Sequence, residues 1–231
     1  SVVNAGSVML INGATGAQIG TTIAGDTLYD ELGGASVTAL GNNNFVIASI
    51  YHDVNSVVNA GSVMLVNGAT GAQIGSTIAG DTRDDYLGNS SITALGNNNF
   101  VIASAYDDVN SVSNAGSVML VSGATGAQIG TTIAGYTAND NLGNSGVTAL
   151  GNNNFVIASR NDDVNSVVNA GSIRQIDTTG TQVSIIAGAA TNDMSAISVT
   201  DASTHNFYVV SLRSFDNNSM TDSGFATVVA Y

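Results

Sequence analysis

A 55-residue repeat is the feature of this sequence that most constrains its fold. The segment GNNNFVIAS begins at Gly41, Gly96 and Gly151, and residues 1–55 and 56–110 differ at only ten positions. Near-copies in tandem form arrays in which each supersecondary unit buries its apolar surface against its neighbours. The sequence therefore predicts one repeat domain over residues 1–231, with units 1–55, 56–110, 111–165 and a divergent C-terminal unit, 166–231.

Each unit contains four short segments with the composition of β-strands, which we name types A to D. In the second unit they cover Ser91–Leu95 (A), Phe100–Ser104 (B), Ser62–Val66 (C) and Ala72–Ala79 (D). Turns rich in Asn and Gly separate A from B and C from D, and no segment has a sustained helical period. Types A, B and D occur four times and type C five times, the last near Gly224, so we predict seventeen strands.

The predicted strands have apolar residues on both faces. Phe45 and Ile47 point to one side of their strand, and Val46 and Ala48 point to the other. A strand of this kind belongs to a sheet that is covered on both sides. We therefore expect an all-β fold, a β-propeller of four four-stranded antiparallel blades of about 55 residues, alone or within a larger ring or assembly.

The unit also resembles the blade of the integrin α-chain, a repeat named for its Phe-Gly and Gly-Ala-Pro signatures. Leu87-Gly88 stands where that family has Phe-Gly, and Ile102–Ser104 stands where it has Gly-Ala-Pro. Asn114–Val118 is similar to the glycine-led strand that follows. The resemblance implies a propeller over essentially the whole chain. The family's calcium loop between its first two strands is replaced here by Gly-Asn-Asn-Asn, so the resemblance does not imply that site.

Seventeen strands are one more than four blades require. The chain opens with a C–D hairpin (Ser7–Ala24) and closes with strands A, B and C (Ser195–Ala230). In one interpretation, the ring closes with the N-terminal D strand beside the C-terminal C strand, and a terminal strand is displaced. In another, the hairpin pairs with a neighbouring chain and builds a larger ring or a filament. A solenoid or a sandwich is the third possibility.

Composition disfavours several functional classes. A net charge of −13, with only four Arg and no Lys, disfavours binding to nucleic acid and to anionic lipid. No apolar run approaches the ~18 residues of a membrane span, so we expect no membrane insertion. Cysteine is absent, the only histidines are His52 and His205, and no serine lies in a nucleophile motif. We therefore expect no enzymatic activity and no obligatory cofactor.

Differences between the units suggest a candidate binding face. Most differences between the first two units lie in the D–A and B–C connections, which an antiparallel meander places at one edge of the sheet. Tyr and Arg are favoured anchors in binding interfaces, although solvent-exposed loops also vary without a functional cause. The residues of this variable face are Leu28, Tyr29, Glu31, Tyr51, His52, Arg83, Tyr86, Tyr106, Tyr136 and Arg160.

The B–C connections are also acidic. Asp and Asn oxygens two residues apart can contribute to a Ca²⁺ site, which needs six to eight oxygen ligands. Neither an EF-hand loop nor a glycine-rich calcium repeat is present, and a solvated acidic loop is the alternative. The candidate calcium ligands are Asp53, Asn55, Asp108, Asn110, Asp163 and Asn165.

These patterns favour a structural function. Few charged residues, abundant Asn, Gly, Ser and Thr, and tandem near-copies are typical of bacterial surface proteins. We expect an extracellular or cell-surface structural protein that assembles with copies of itself. The alternative is an adhesion module that binds a glycan or a protein through the variable face.

Overall fold

The computed structural model describes residues 2–202, 207–212 and 225–230 of the 231-residue chain. Within these ranges the regular secondary structure is entirely β, and no helix that could cross a membrane is found there. The strands are β1 (Ser7–Ile11), β2 (Gln18–Ala24), β3 (Ser36–Ala39), β4 (Phe45–Ser49), β5 (Ser62–Val66), β6 (Gln73–Ala79), β7 (Ser91–Ala94), β8 (Phe100–Ser104), β9 (Ser117–Val121), β10 (Gln128–Ala134), β11 (Val147–Ala149), β12 (Phe155–Ser159), β13 (Ser172–Ile176), β14 (Gln182–Ala187), β15 (Ile197–Ala202), β16 (Phe207–Leu212) and β17 (Phe225–Ala230).

The strands form five separate antiparallel sheets in chain order. The N-terminal hairpin is β1–β2, sheet 1 is β3–β6, sheet 2 is β7–β10, sheet 3 is β11–β14, and the end sheet is β15–β17. In each complete sheet the strands follow one another as A, B, C and D. The all-β class, the repeated four-stranded antiparallel sheets and the seventeen predicted strands are therefore confirmed in the described residues.

The described residues do not form the expected set of four complete blades. The described part of the chain has three four-stranded sheets, one three-stranded sheet and one hairpin, and no sheet joins the two ends. The end sheet already has its own C strand, because β17 pairs with β16 along its whole length, from Phe207↔Ala230 to Leu212↔Phe225. Among the described strands, the C strand of the hairpin, β1, therefore has no vacant B strand to join, and it pairs with β2 alone.

Successive sheets pack face to face, as the two-sided apolar pattern predicts. Phe45 and Ile47 of sheet 1 lie in one core cluster with Val8 and Leu10 of the hairpin. The opposite face of the same strand, which includes Val46, packs in a second cluster with residues of sheet 2. Equivalent clusters join sheet 2 to sheet 3 and sheet 3 to the end sheet. Each complete sheet is thus covered on both sides.

The A strands of neighbouring sheets lie beside one another. The Thr38 hydroxyl in β3 donates to the Ile92 carbonyl in β7 at 3.5 Å, and Thr93 in β7 donates to the Val147 carbonyl in β11 at 3.2 Å. Strand β11 in turn contacts β15. The contact between A strands therefore recurs from each sheet to the next along the stack.

Each of the first three D strands has a glycine where the C–D turn of the next sheet comes close to its backbone. Gly75 lies in β6 with φ +68, where β6 is irregularly paired with β5, and a Cβ there would lie 2.5 Å from the Thr125 carbonyl oxygen in the C–D turn of sheet 2. Gly20 and Gly130 make the same approach to the following turn. The last D strand, β14, has no glycine, and the end sheet has no C–D turn in the described residues.

Candidate functional site

The D–A and B–C connections lie together at one edge of the stack. In sheet 2 they comprise residues 80–90 and 105–116, and we call the corresponding region of all sheets the loop edge. The backbone N–H of Asp108 in the B–C loop donates to the Asp85 carboxylate in the D–A loop at 3.2 Å. At the opposite edge, the Asn42 side chain of an A–B turn donates to the Gly123 carbonyl of a C–D turn at 3.1 Å.

A buried aspartate organises each D–A loop. The Asp85 side chain accepts hydrogen bonds from the backbone N–H groups of Asp81 and Thr82, at 2.9 and 2.6 Å, and from the Thr82 hydroxyl at 2.5 Å. These bonds compensate for the loss of hydration of a fully buried carboxylate. The other buried D–A aspartates are Asp30, Asp140 and Asp193. The site prediction missed these aspartates, although a Thr-x-x-Asp pattern recurs every 55 residues at Asp30, Asp85 and Asp140.

The predicted calcium ligands have roles in forming the loops. The side chains of Asp53, Asp108 and Asp163 each accept a backbone N–H six residues further along, at 2.8, 2.6 and 2.7 Å. The asparagine two residues after each of these aspartates adopts the left-handed conformation, with φ of 51 to 53. It lies in a tight loop that a short β-bridge between two valines closes. Those asparagines are Asn55, Asn110 and Asn165.

The variable-face residues are divided between exposed positions and a tyrosine row. The rings of Tyr51 and Tyr86 meet edge to face with centroids 5.8 Å apart, and Tyr86 meets Tyr106 at 6.2 Å. This tyrosine row, Tyr51–Tyr86–Tyr106, crosses from sheet 1 to sheet 2. Arg83 pairs with the neighbouring Asp84 at 3.2 Å. The remaining exposed members are Leu28, Tyr29, Glu31, Tyr136 and Arg160.

One side-chain position in the B–C loop has a different environment in each sheet. In sheet 1 it is His52, whose Nδ1 lies 2.8 Å from the Ser62 hydroxyl and whose Nε2 lies 3.1 Å from the Asp26 carboxylate. The histidine is therefore held between two partners rather than presented as a free base. The other histidine, His205, lies outside the described residues.

In sheet 3 the same position is Asp162, which forms a buried ion pair. Arg174 binds both of its oxygens through Nη2, at 2.8 and 2.7 Å, and adds a bond from Nε at 3.1 Å. The Ser172 hydroxyl also donates to Asp162. The Arg174 guanidinium lies 5.2 Å from the centre of the Tyr136 ring. Burial raises the pKa of Asp162, whereas the charge of Arg174 counteracts this rise.

In sheet 2 the position is Asp107, and it lies among other carboxylates. Carboxylate oxygens of Asp81, Asp85 and Asp107 are all within 4.8 Å of one another. Burial raises the pKa of Asp107 to about 6; the Ser117 hydroxyl lowers it, and the charges of Asp85, Asp81 and Asp108 raise it further. A cavity of about 360 Å³ lies at this cluster.

The comparisons with known proteins support the repeat. Two segments, residues 39–88 and 94–144, match a family model described as a repeat of unknown function (DUF5650). Their starts are 55 residues apart, from 39 to 94, in agreement with the internal period. The chain matches no curated protein. These matches support tandem repetition and do not assign an activity.

Proposed function

We propose that the chain is a non-enzymatic structural protein of the cell surface or extracellular space that assembles with copies of itself through its end strands. The observation that carries this proposal is the exposed edge of β1. In the part of the chain that the structure describes, this strand pairs only with β2, and Met9 and Ile11 remain 59 % and 48 % exposed. An unpaired edge with apolar side chains is a template for strand addition.

The chemistry of the ends fits a second copy as the partner. Neither β1 nor β2 contains a charged residue, so two such hairpins can approach despite the net charge of −13. Antiparallel pairing of β1 with β1 around a two-fold axis would produce a four-stranded sheet from two hairpins. Strand β17, which also lacks charged residues, pairs only with β16 in the described chain. Alternating contacts at these two ends would extend the assembly into a filament.

Sedimentation velocity over a range of protein concentrations tests the assembly. We expect the mass of the wild-type protein to rise with concentration, whereas a Met9→Lys/Ile11→Lys variant stays monomeric with an unchanged circular dichroism spectrum. The control is Val58→Lys/Val168→Lys, which adds the same charge at exposed valines of the B–C loops and should assemble like the wild type. A wild-type protein that sediments as a monomer throughout overturns the proposal.

A propeller-type arrangement of the stacked sheets belongs to the same proposal. It is supported by the resemblance to the integrin α-chain blade, by the row of adjacent A strands and by the face-to-face packing of successive sheets. Negative-stain images of the monomeric Met9→Lys/Ile11→Lys variant should show a curved particle with the sheets arranged around a centre. A straight rod would favour a solenoid instead.

The tyrosine row favours a second function, adhesion to a glycan through the variable face. Its rings are joined to the loops: the Asn59 side chain donates to the Asp84 carboxylate at 2.7 Å and contacts the Tyr86 hydroxyl at 3.4 Å. Aromatic rings with a polar hydroxyl suit contacts to sugar rings and hydroxyl groups. On a glycan array, Tyr51→Ala/Tyr106→Ala should lose binding, whereas Tyr29→Ala, an exposed tyrosine outside the row, should retain it. Absence of wild-type binding contradicts this function.

A further inference from the structure

The loop edge contains the same pocket three times, and two copies already contain a nitrogen donor. In sheet 1, His52 occupies the B–C position and contacts the Asp26 carboxylate. In sheet 3, Arg174 extends from the C strand and neutralises Asp162. The position equivalent to Arg174 in sheet 2 is Met119, which lines the cavity and carries no charge. Only the copy in sheet 2 therefore combines three carboxylates with neither a histidine nor an arginine.

The residue changes between sheets 2 and 3 are consistent with charge compensation. Sheet 3 gains a cation at Arg174 and, in the same pocket, has Tyr136 where sheet 2 has Asp81. The guanidinium packs against the Tyr136 ring as well as the Asp162 carboxylate. Thus one acidic residue is lost where an internal cation is present. Sheet 2 retains the extra acidic residue and lacks that cation.

A buried hydroxyl gives independent evidence for a missing ligand. Ser117 is completely buried, and its Oγ has no hydrogen-bond partner in the structure. Its equivalents both have one inside the same pocket: Ser62 contacts His52, and Ser172 donates to Asp162. The Ser117 hydroxyl faces the Asp107 carboxylate and lowers the pKa of Asp107, but it makes no hydrogen bond of normal geometry there. A buried polar group without a partner is costly, and a bound ion with its water shell would satisfy it.

We infer that sheet 2 binds one divalent cation, with Ca²⁺ the best fit, through the carboxylates of Asp81, Asp85 and Asp107. Two oxygens on one Ca²⁺, each 2.3–2.6 Å from the ion, are separated by at most about 5 Å, and the carboxylate oxygens here lie within 4.8 Å of one another. The set contains only oxygen ligands, which favours Ca²⁺ over zinc and other metals that prefer nitrogen or sulfur. The Ser117 hydroxyl and water in the cavity would complete the coordination shell.

This site differs from the calcium ligands expected from sequence. Asp108 and Asn110 line the same cavity, but the three clustered carboxylates come from the D–A loop and from the residue before Asp108. The two sets can be separated by mutation, because Asp107 belongs only to the inferred cluster and Asp108 only to the set expected from sequence. The inferred site is also confined to one sheet, whereas the sequence pattern suggested three equivalent sites.

Calcium titration by isothermal calorimetry, after removal of metal with EDTA, tests this inference. We expect one ion to bind per wild-type chain and the melting temperature to rise in millimolar CaCl₂, because a ligand that binds only the folded state stabilises it. Asp107→Asn should weaken binding by about tenfold or more. Met119→Arg, which reproduces the internal cation of sheet 3, should abolish binding while leaving the melting temperature unchanged by calcium.

Asp84→Asn is the matched control. It removes a half-buried negative charge from the same D–A loop outside the carboxylate cluster, and it should bind calcium with wild-type affinity. If Met119→Arg does not fold, Asp107→Asn still provides the test. The inference is overturned if wild-type protein shows neither heat of binding nor a melting shift, or if Asp84→Asn weakens binding as much as Asp107→Asn does.

Discussion

The N-terminal hairpin and the C–D pair of sheet 2 have nearly the same sequence in different environments. Strands β2 and β10 are both QIGTTIA, and β1 and β9 differ only at their last residue, Ile11 against Val121. Yet Ile11 is 48 % exposed and Val121 is completely buried. The difference arises from the neighbours, because β9 pairs with β8 on one edge and β10 on the other, whereas β1 pairs with β2 alone among the described strands.

This comparison shows that burial in the stack depends on position more than on local sequence. A C strand supplies its own apolar side chains, but a B strand must cover its edge and another sheet must cover each face. Within the described residues, no A or B strand precedes the hairpin. The same comparison applies to the loop edge, since Ser7 of the hairpin is exposed where Ser117 is buried.

The largest difference should appear when an equivalent leucine is truncated in each region. Leu120 in β9 is 1 % exposed, whereas Leu10 in β1 is only half-buried. We expect Leu120→Ala to lower the free energy of unfolding by about 3 kcal/mol, because buried leucines cost roughly 2–5 kcal/mol when truncated. Leu10→Ala should lower it by about 1 kcal/mol, because the half-buried Leu10 side chain removes less apolar area from water. Urea denaturation measures both.

These two variants should be compared in the monomeric Met9→Lys/Ile11→Lys background. In that background β1 cannot be covered by a second chain, so any protection of Leu10 must come from its own chain. Equal losses for the two leucines would mean that another part of the chain covers the hairpin in solution, and the contrast between the regions would fail.

The next effect concerns the acidic pocket, which exists in sheet 2 and not at the hairpin. The folded-state pKa of Asp107 is about 6, above the ordinary value of 3.8, because burial and the charges of Asp85, Asp81 and Asp108 outweigh the Ser117 hydroxyl. The folded chain therefore binds more protons than the unfolded chain between about pH 4 and 6. In EDTA, this group should make the free energy of unfolding fall as the pH rises through that window.

Urea unfolding from pH 4 to pH 7 with Asp107→Asn measures this contribution. The variant lacks the ionisable group, so its stability should fall less over the window than that of the wild type. If the two profiles have the same slope, the pH dependence comes from other carboxylates, and the pocket does not raise the pKa of Asp107.

Much of the fold could be predicted because the repeat displays the same pattern several times. Alternation of apolar residues on both faces, seen in Phe45–Ala48, indicates a sheet that is covered on both sides, and the structure confirms this packing. The state of the ends could not be predicted from these patterns. β1 and β9 have almost the same residues, so no local signal distinguishes an exposed strand from a buried one.

The candidate site was harder to predict because its residues meet only in three dimensions. Asp107 and Asp162 occupy the same sequence pattern, and their environments differ through residues distant in sequence. Arg174 lies twelve residues beyond Asp162 on the next strand, and Tyr136 replaces Asp81. Asp85 could have been found from the Thr-x-x-Asp spacing. The tyrosine row could not be predicted from sequence alone, because nothing local shows that Tyr51 of sheet 1 and Tyr86 of sheet 2 contact each other.

The smallest expected effect tests the link between the A strands of complete sheets, a contact in which the hairpin strands β1 and β2 take no part. Thr93→Val removes the hydroxyl that bonds the Val147 carbonyl while preserving the shape of the side chain. We expect a loss of roughly 0.5–1.5 kcal/mol, the net contribution of one hydrogen bond. Thr21→Val, at an exposed position of β2, is the control and should be neutral. Urea unfolding measures both losses. Because the Thr93 hydroxyl joins strand β7 to strand β11, equal effects for the two variants would mean that the link between these sheets rests on apolar packing alone.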